Sequence, residues 1–131
     1  MNLADILALV PEGGNWRDLP DDIAREVMGG AYDSGGGRTG FFRRLHRDLP
    51  APTIVGSPSH KSTFLGHPTQ PRAINEHESA AIQTFPASHQ FAGAAAKRFL
   101  QIGNACPPRQ VEANLRHIWG SGNRAYPCHE E

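Results

Sequence analysis

A basic segment between residues 34 and 61 holds side chains that can bind an anionic polymer such as DNA. Residues 1–33 hold 2 basic and 7 acidic groups, residues 34–61 hold 5 and 1, and residues 62–131 hold 6 and 5. Arginine can contact phosphate or bind guanine O6 and N7 through two N–H groups, and glycine lets a backbone approach DNA closely. A merely solvated face is the alternative. The candidate contacts with such a polymer are Gly36, Arg38, Thr39, Arg43, Arg44, Arg47, Ser57, His60 and Lys61.

The histidines and cysteines could bind a metal or act as nucleophiles, but their spacing matches neither kind of site. The seven histidines fall into neither HExxH nor a paired Cys/His spacing, so we expect scattered surface histidines and no metal site. Two cysteines are too few for a disulfide framework, which favours reduced thiols. Cys128 follows a proline, but it lies in a polar tail with no following helix to activate its thiol. We therefore expect no catalytic residue in this chain.

Hydrophobic periodicity and capping residues predict five helices that would position the basic segment. The predicted helices begin near Asn2, Asp21, Asn75, Ala94 and Pro107. Their expected ends are near Pro11, Gly29, Phe85, Gly103 and Gly120. One side of the last helix is apolar and carries Val111, Leu115, Ile118 and Trp119.

The basic segment itself is expected to be irregular. Short strands are predicted over 41–47 and 53–55, with two intervening prolines that prevent regular pairing. The glycine-rich residues 34–40 and the mixed residues 56–71 should be loops. Short strands followed by helices indicate an α+β fold.

Two segments in the second half of the chain resemble signatures of DNA cytosine-5 methyltransferases. Residues 71–86 read PRAINEHESAAIQTFP and are similar to the ninth motif of that family, roughly RxLTxREAARIQxFPD. Residues 101–108 read QIGNACPP and are similar to the tenth motif, QIGNAVPP. Residues 35–68, which include GGGRTGFFRRL and LPAPTI, resemble a compact form of the family's target-recognition region. The chain departs from the family pattern at His77, Ala87 and Cys106.

The resemblance implies specific roles. Asn104 and its neighbours would line part of the site for S-adenosyl-L-methionine, although Gly103-Asn104 could also be only a tight turn. The implied cofactor-binding set is Gly103, Asn104, Ala105 and Cys106. The implied structural set of the ninth motif is Arg72, Asn75, Glu78 and Gln83. The family's Gly-rich cofactor loop, Pro-Cys nucleophile and Glu-Asn-Val segment are absent, so we expect this chain to be inactive alone.

These features predict three parts: a target-recognition lobe over 1–70 that binds double-stranded DNA, ninth- and tenth-motif helices over 71–120, and a polar tail over 121–131. The helices should complete the α/β methyltransferase domain of a larger chain that carries the cofactor loop and the catalytic cysteine. The expected function is that of the C-terminal portion, or a separate subunit, of a restriction-modification DNA (cytosine-5-)-methyltransferase. An inactive remnant, an autonomous DNA-binding module, and an RNA-binding or scaffold protein are the alternatives. Without an apolar run or a secretory layout, we expect a cytoplasmic protein and no membrane.

Overall fold

The computed structural model describes residues 1–33, 40–56, 60, 63 and 65–122, with the backbone alone at 121 and 122. Helix α1 spans Leu3–Leu9 and begins at a reciprocal cap: the Asn2 side chain accepts from the Asp5 N–H and the Asp5 carboxylate accepts from the Asn2 N–H. A 3₁₀ turn follows at Trp16–Asp18, then α2 at Asp21–Met28 and α3 at Gly30–Asp33. The two predicted N-terminal helices are confirmed, and α3 was not predicted.

The strands are shorter than the sequence predicts. Strand β1 (Arg43–Arg44) pairs in parallel with β2 (Leu65–Gly66), and residues 53–55 form no strand. Phe42 has a φ of 49°, which breaks the extended conformation at the start of the predicted 41–47 strand. The backbone of 41–45 is instead held by hydrogen bonds to residues 13–16 on one side and to Gly66 on the other.

Three helices follow, and they include the ninth- and tenth-motif segments. Helix α4 spans Glu76–Ile82, α5 spans Ala95–Asn104, and α6 spans Pro108–Gly122. Helix α5 continues through Gly103, where we expected it to stop, and α6 continues past Gly120. Glycine lowers helix propensity by only about 1 kcal/mol, so a helix can continue through it. The described residues are therefore rich in helix with two short parallel strands, which is compatible with the α+β class.

Two hydrophobic clusters stabilise the molecule. In the first, α1 and α2 pack against Phe41 and Phe42. The second contains side chains from before and after residue 70 in the sequence, namely Leu45, Ile54, Leu65, Ile74, Ala80 and Ile102. Within the described residues, no helix is both long enough and apolar enough to span a membrane.

The apolar side of α6 does not belong to either cluster. Ile118 and Trp119 are 65% and 76% exposed, and Val111 and Leu115 are exposed as well. An exposed apolar stripe of this kind on a 15-residue helix is a typical protein–protein contact surface.

Candidate functional site

The ninth-motif segment is organised around the Glu78 carboxylate. Glu78 accepts hydrogen bonds from the Asn75 N–H at 2.8 Å and from both terminal nitrogens of Arg72 at 2.9 and 2.7 Å. The Asn75 side chain accepts in return from the Glu78 N–H at 2.9 Å, which completes the cap of α4. The Arg72 hydrogen bonds, helped by the Asn75 N–H, lower the pKa of Glu78 to about 2. Glu78 in turn raises the pKa of Arg72. Three of the four ninth-motif residues thus form one charged cap at the start of α4.

The fourth ninth-motif residue, Gln83, connects α4 to the tenth-motif segment. Its side-chain nitrogen donates to the Ile102 carbonyl at 3.0 Å and to the Ala105 carbonyl at 3.4 Å. These two carbonyls lie on either side of Gly103 and Asn104, at the end of α5. The structure therefore brings the ninth-motif and tenth-motif segments together through a side chain that the sequence singled out.

The tenth-motif segment presents its polar group outward. Asn104 is exposed at the last position of α5, Ala105 is half-buried, and Cys106 is an exposed free thiol. An exposed carboxamide offers both a donor and an acceptor, beside small side chains that leave room for a ligand. Gly103 faces the other way and lies against the backbone of Val55 and Gly56.

Two of the candidate DNA-binding arginines have hydrogen-bond partners within the chain. Arg44 donates from Nη1 to the Leu7 and Val10 carbonyls at 3.0 and 2.7 Å, and from Nε to the His67 carbonyl at 3.1 Å. It thus neutralises the carbonyl end of α1, where a cation is favourable. The Arg44 Nε and Nη1 groups are thus directed at backbone carbonyls, and a contact of Arg44 with DNA stays a prediction.

Arg47 is held by an acidic partner that the sequence analysis missed. Its Nε and Nη2 donate to Glu12, with the shortest of these bonds at 3.0 Å, and its N–H also donates to Glu12 at 2.7 Å. Hydrogen bonds from Arg47 lower the pKa of Glu12 to about 2. The Arg47 side chain is still 60% exposed, so it remains accessible to a phosphate. A separation of 35 residues explains why no sequence pattern predicted this pair.

The remaining candidate DNA contacts divide into described and undescribed residues. The half-buried Arg43 pairs with Leu65 through its backbone, and its side chain has no hydrogen-bond partner among the described residues. His60 is exposed, with its carbonyl accepting from Thr63. Within the described residues, no three His, Cys, Asp or Glu side chains form a group that could hold a metal ion. Five candidates lie outside the described residues: Gly36, Arg38, Thr39, Ser57 and Lys61.

The comparison with known proteins decides the family. The model of the C-5 cytosine-specific DNA methylase family matches residues 16–119. The chain belongs to this family. Its members use S-adenosyl-L-methionine, as the resemblance of the two motifs implied.

Three bacterial relatives are similar to this member of the DNA methylase family. The Type II methyltransferase M.PspPI of Psychrobacter sp. (strain TA137) is 47% identical over 104 residues, which cover 79% of this chain and 25% of the relative. M.Eco47II of Escherichia coli is 46% identical over 104 residues, with the same two coverages. M.Sau96I of Staphylococcus aureus is 44% identical over 103 residues, or 79% of this chain and 24% of the relative. The chain spans about a quarter of the length of these relatives.

Proposed function

We propose that this chain supplies the DNA-recognition lobe and one wall of the S-adenosyl-L-methionine pocket of a restriction-modification DNA (cytosine-5-)-methyltransferase. It does so as the C-terminal portion or as a separate subunit, and a larger partner carries the cofactor loop and the nucleophilic cysteine. The observation that carries the proposal is the family match over residues 16–119, which contains both the basic segment and the tenth-motif segment. The match to three Type II methyltransferases supports the restriction-modification setting.

In this proposal the chain's contribution to the cofactor site is positional. S-adenosyl-L-methionine, when bound, supplies the methyl group that is transferred to cytosine. The Asn104 carboxamide, which is exposed at the end of α5, would hydrogen-bond the amino-acid end of the cofactor. Ala105 and Cys106 are small enough to let the cofactor approach the backbone. Neither serves as a nucleophile, because catalysis requires the thiolate that the partner carries.

The proposed DNA surface consists of those side chains of the basic segment that remain available to contact DNA. Arg43 and Arg47 are retained as phosphate or base contacts, together with His60 and the candidates that lie outside the described residues. Arg44 is assigned to the structure of the lobe. Since the target cytosine must leave the duplex to react, protein is required on both sides of the DNA, and this lobe supplies one of them.

The exposed side of α6 is the proposed contact with the partner. Burying Ile118 and Trp119 would remove two large apolar side chains from water, and each is worth about 1.5–3 kcal/mol when fully buried. By the family resemblance, this helix packs onto the parallel-sheet catalytic domain. The charged Arg116 and Glu112 side chains, which pair with each other at 2.7 Å, would remain at the edge of that contact.

Complementation in trans tests the proposal. The Psychrobacter relative without its matching segment would be co-expressed with this chain, and methyl transfer from tritiated S-adenosyl-L-methionine to DNA would be measured. In a reciprocal chimera, residues 16–119 of this chain would replace the matching segment of the relative, so that a folding failure of the truncated relative does not decide the result. We expect methylation in both arrangements and none from either part alone.

The same experiment separates the alternative functions. DNA binding by this chain alone in gel shifts, with no methylation by either the co-expressed pair or the chimera, would indicate an autonomous DNA-binding module. No DNA binding and no methylation would indicate an inactive remnant. Methyl transfer by this chain alone would contradict the assignment of the nucleophile to a partner.

A further inference from the structure

The two residues that follow α4, Gln83 and Thr84, form hydrogen bonds with the backbone of the tenth-motif segment and of the residue after it. Gln83 donates to the Ile102 and Ala105 carbonyls at the end of α5. Thr84 accepts, through Oγ1, a hydrogen bond from the Arg109 N–H at the start of α6, at 3.2 Å. One pair of adjacent side chains therefore spans the connection between two helices.

These bonds satisfy backbone groups that a helix leaves open at its ends. At the start of α6, Pro108 has no N–H, and the N–H groups of Gln110 and Val111 donate to the Pro107 carbonyl. The Arg109 N–H is thus the donor that needs a partner from elsewhere, and Thr84 supplies it. Thr84 acts as the cap of a helix to which it does not belong.

The backbone at Thr84 is adapted to this task. Its φ is 64°, in the left-handed region that a β-branched residue rarely adopts. Such conformations persist where the surroundings enforce them and are common next to functional sites. Here the turn is fixed by hydrogen bonds from the Thr84 N–H to the Ala81 carbonyl and from the Phe85 N–H to the Ala80 carbonyl.

We propose that Gln83 and Thr84 are positioning residues for the cofactor wall: they fix the backbone from Gly103 to Pro107, so that cofactor affinity depends on two side chains outside the tenth motif. The inference rests on the proposed function. It assigns to the ninth-motif turn a role in setting the cofactor site, in addition to the charged cap at the other end of α4.

The first experiment uses this chain alone and measures amide hydrogen exchange. Gln83→Met keeps the shape but removes the donor, and Thr84→Gly keeps the positive φ but removes the hydroxyl. Exchange at the Arg109 amide should accelerate about fivefold to tenfold in the second variant, because this amide loses its acceptor. The Ala105 amide donates to the Ile102 carbonyl, which Gln83 also binds, so its exchange should accelerate in the first variant as that carbonyl loses its support. Amides in α1 report any global loss of stability, and the local acceleration must exceed theirs.

Two further variants serve as rescue and control. Thr84→Ser retains the hydroxyl and should restore slow exchange at Arg109. Ser79→Ala removes another hydrogen bond from α4, that of the Ser79 hydroxyl to the Asn75 carbonyl at 2.8 Å, and should leave both reporter amides unchanged relative to α1. Unchanged exchange at Ala105 and Arg109 in the Met and Gly variants would overturn the proposal.

The second experiment measures kinetics in the complemented enzyme or the chimera. Gln83→Met and Thr84→Gly should raise KM for S-adenosyl-L-methionine about fivefold to tenfold with little change in kcat, and Thr84→Ser should restore the KM. Faster exchange with unchanged KM would overturn the proposal and leave only a structural role. If the unmutated assembly shows no methylation, the proposed function fails, whereas the exchange result still decides whether the pair fixes the segment.

Discussion

Gly103 and Gly56 approach each other so closely that position 103 has no room for a side chain. A β-carbon at residue 103 would lie 2.6 Å from the Val55 carbonyl carbon and 2.7 Å from the Gly56 α-carbon. A β-carbon at residue 56 would lie 2.8 Å from a methyl group of Leu100. The end of α5 is therefore packed directly against the backbone of the basic segment.

Gly103→Ala should destabilise the chain, because the added methyl group meets backbone atoms that cannot rotate away. The expected loss is about 1–3 kcal/mol in the free energy of unfolding, measured by urea titration. Gly120→Ala is the matched control, since nothing lies within 4 Å of a β-carbon there and α6 is helical at this position. That control should be neutral or slightly stabilising. Equal stabilities of the two variants would contradict the close approach.

Glu78→Gln should change how stability depends on pH. Folding lowers the pKa of Glu78 from 4.5 to about 2, so the charged form is favoured in the folded state. This contribution is present above pH 4.5 and is lost as the pH falls from 4.5 towards 2. Glutamine can still cap α4 but carries no charge, so the variant should lose about 1 kcal/mol near neutral pH and less at low pH.

The control for this pH dependence is Glu112→Gln. Glu112 pairs with Arg116 on an exposed helix face, and such pairs contribute only a few tenths of a kcal/mol. Unfolding titrations between pH 2 and 7 should therefore separate the two variants. A constant difference between Glu78→Gln and the unmutated chain across that range would refute the charged cap.

Arg43→Ala and Arg44→Met should have opposite phenotypes. Removing Arg43 should weaken DNA binding by the assembled enzyme with little effect on folding. If Arg43 contacts phosphate, the slope of the logarithm of the DNA-binding constant against the logarithm of salt concentration becomes shallower by about one unit. If Arg43 contacts a base, the free energy of binding to the cognate site alone falls by about 1–3 kcal/mol. Removing Arg44 should destabilise the chain by about 1–3 kcal/mol, because three carbonyls lose their charged donor. Gel shifts at several salt concentrations, paired with thermal unfolding, distinguish these outcomes.

Asn104→Ala should weaken the binding of S-adenosyl-L-methionine to the assembled enzyme by about 1–3 kcal/mol while DNA affinity stays constant. The side chain is exposed and hydrogen-bonds to no other described residue, so its removal should not alter the folding of the chain. Calorimetric titration of the complemented enzyme measures the effect. Unchanged cofactor affinity would assign Asn104 to the end of α5 alone.

Trp119→Ser should abolish complementation without destabilising this chain. The ring is 76% exposed on the apolar side of α6, so the chain itself gains little from it, whereas the proposed partner contact would bury it. Arg116→Gln, on the same helix at an exposed charged position, is the control and should complement normally. Co-purification with the truncated relative measures the interaction. Equal recovery of both variants would exclude this side of α6 as the contact.

Local signals were sufficient to predict most helices. Two helices are capped by contacts between residues three positions apart, Asn2 with Asp5 and Asn75 with Glu78. Contacts at this short spacing can be recognised from the sequence. The predicted ends near Gly103 and Gly120 lie one and two residues before the observed ends at Asn104 and Gly122. Glycine favours a stop locally, but at position 103 it is also the residue that allows the close approach to Gly56.

Contacts between distant segments could not be predicted in the same way. The five basic residues of the middle segment were treated alike, because composition does not reveal which guanidinium meets Glu12 or the end of α1. Phe42 gave no signal of its positive φ, so the strand was predicted too long. The tenth-motif segment was recognisable by resemblance, but the role of Thr84 depends on a bond to a residue 25 positions away.

The Arg44 guanidinium also bears on the order in which the molecule assembles. Arg44 donates to the Leu7 and Val10 carbonyls and to the His67 carbonyl. During synthesis, α1 therefore leaves the ribosome well before His67, which completes this set of contacts, has been added to the chain. Contacts between residues this far apart in sequence close long loops and tend to form after the local helices. Loss of this link should therefore appear chiefly as faster unfolding, with the refolding rate nearly unchanged. The Arg44 contacts would therefore form late in folding and slow the unfolding of the folded chain.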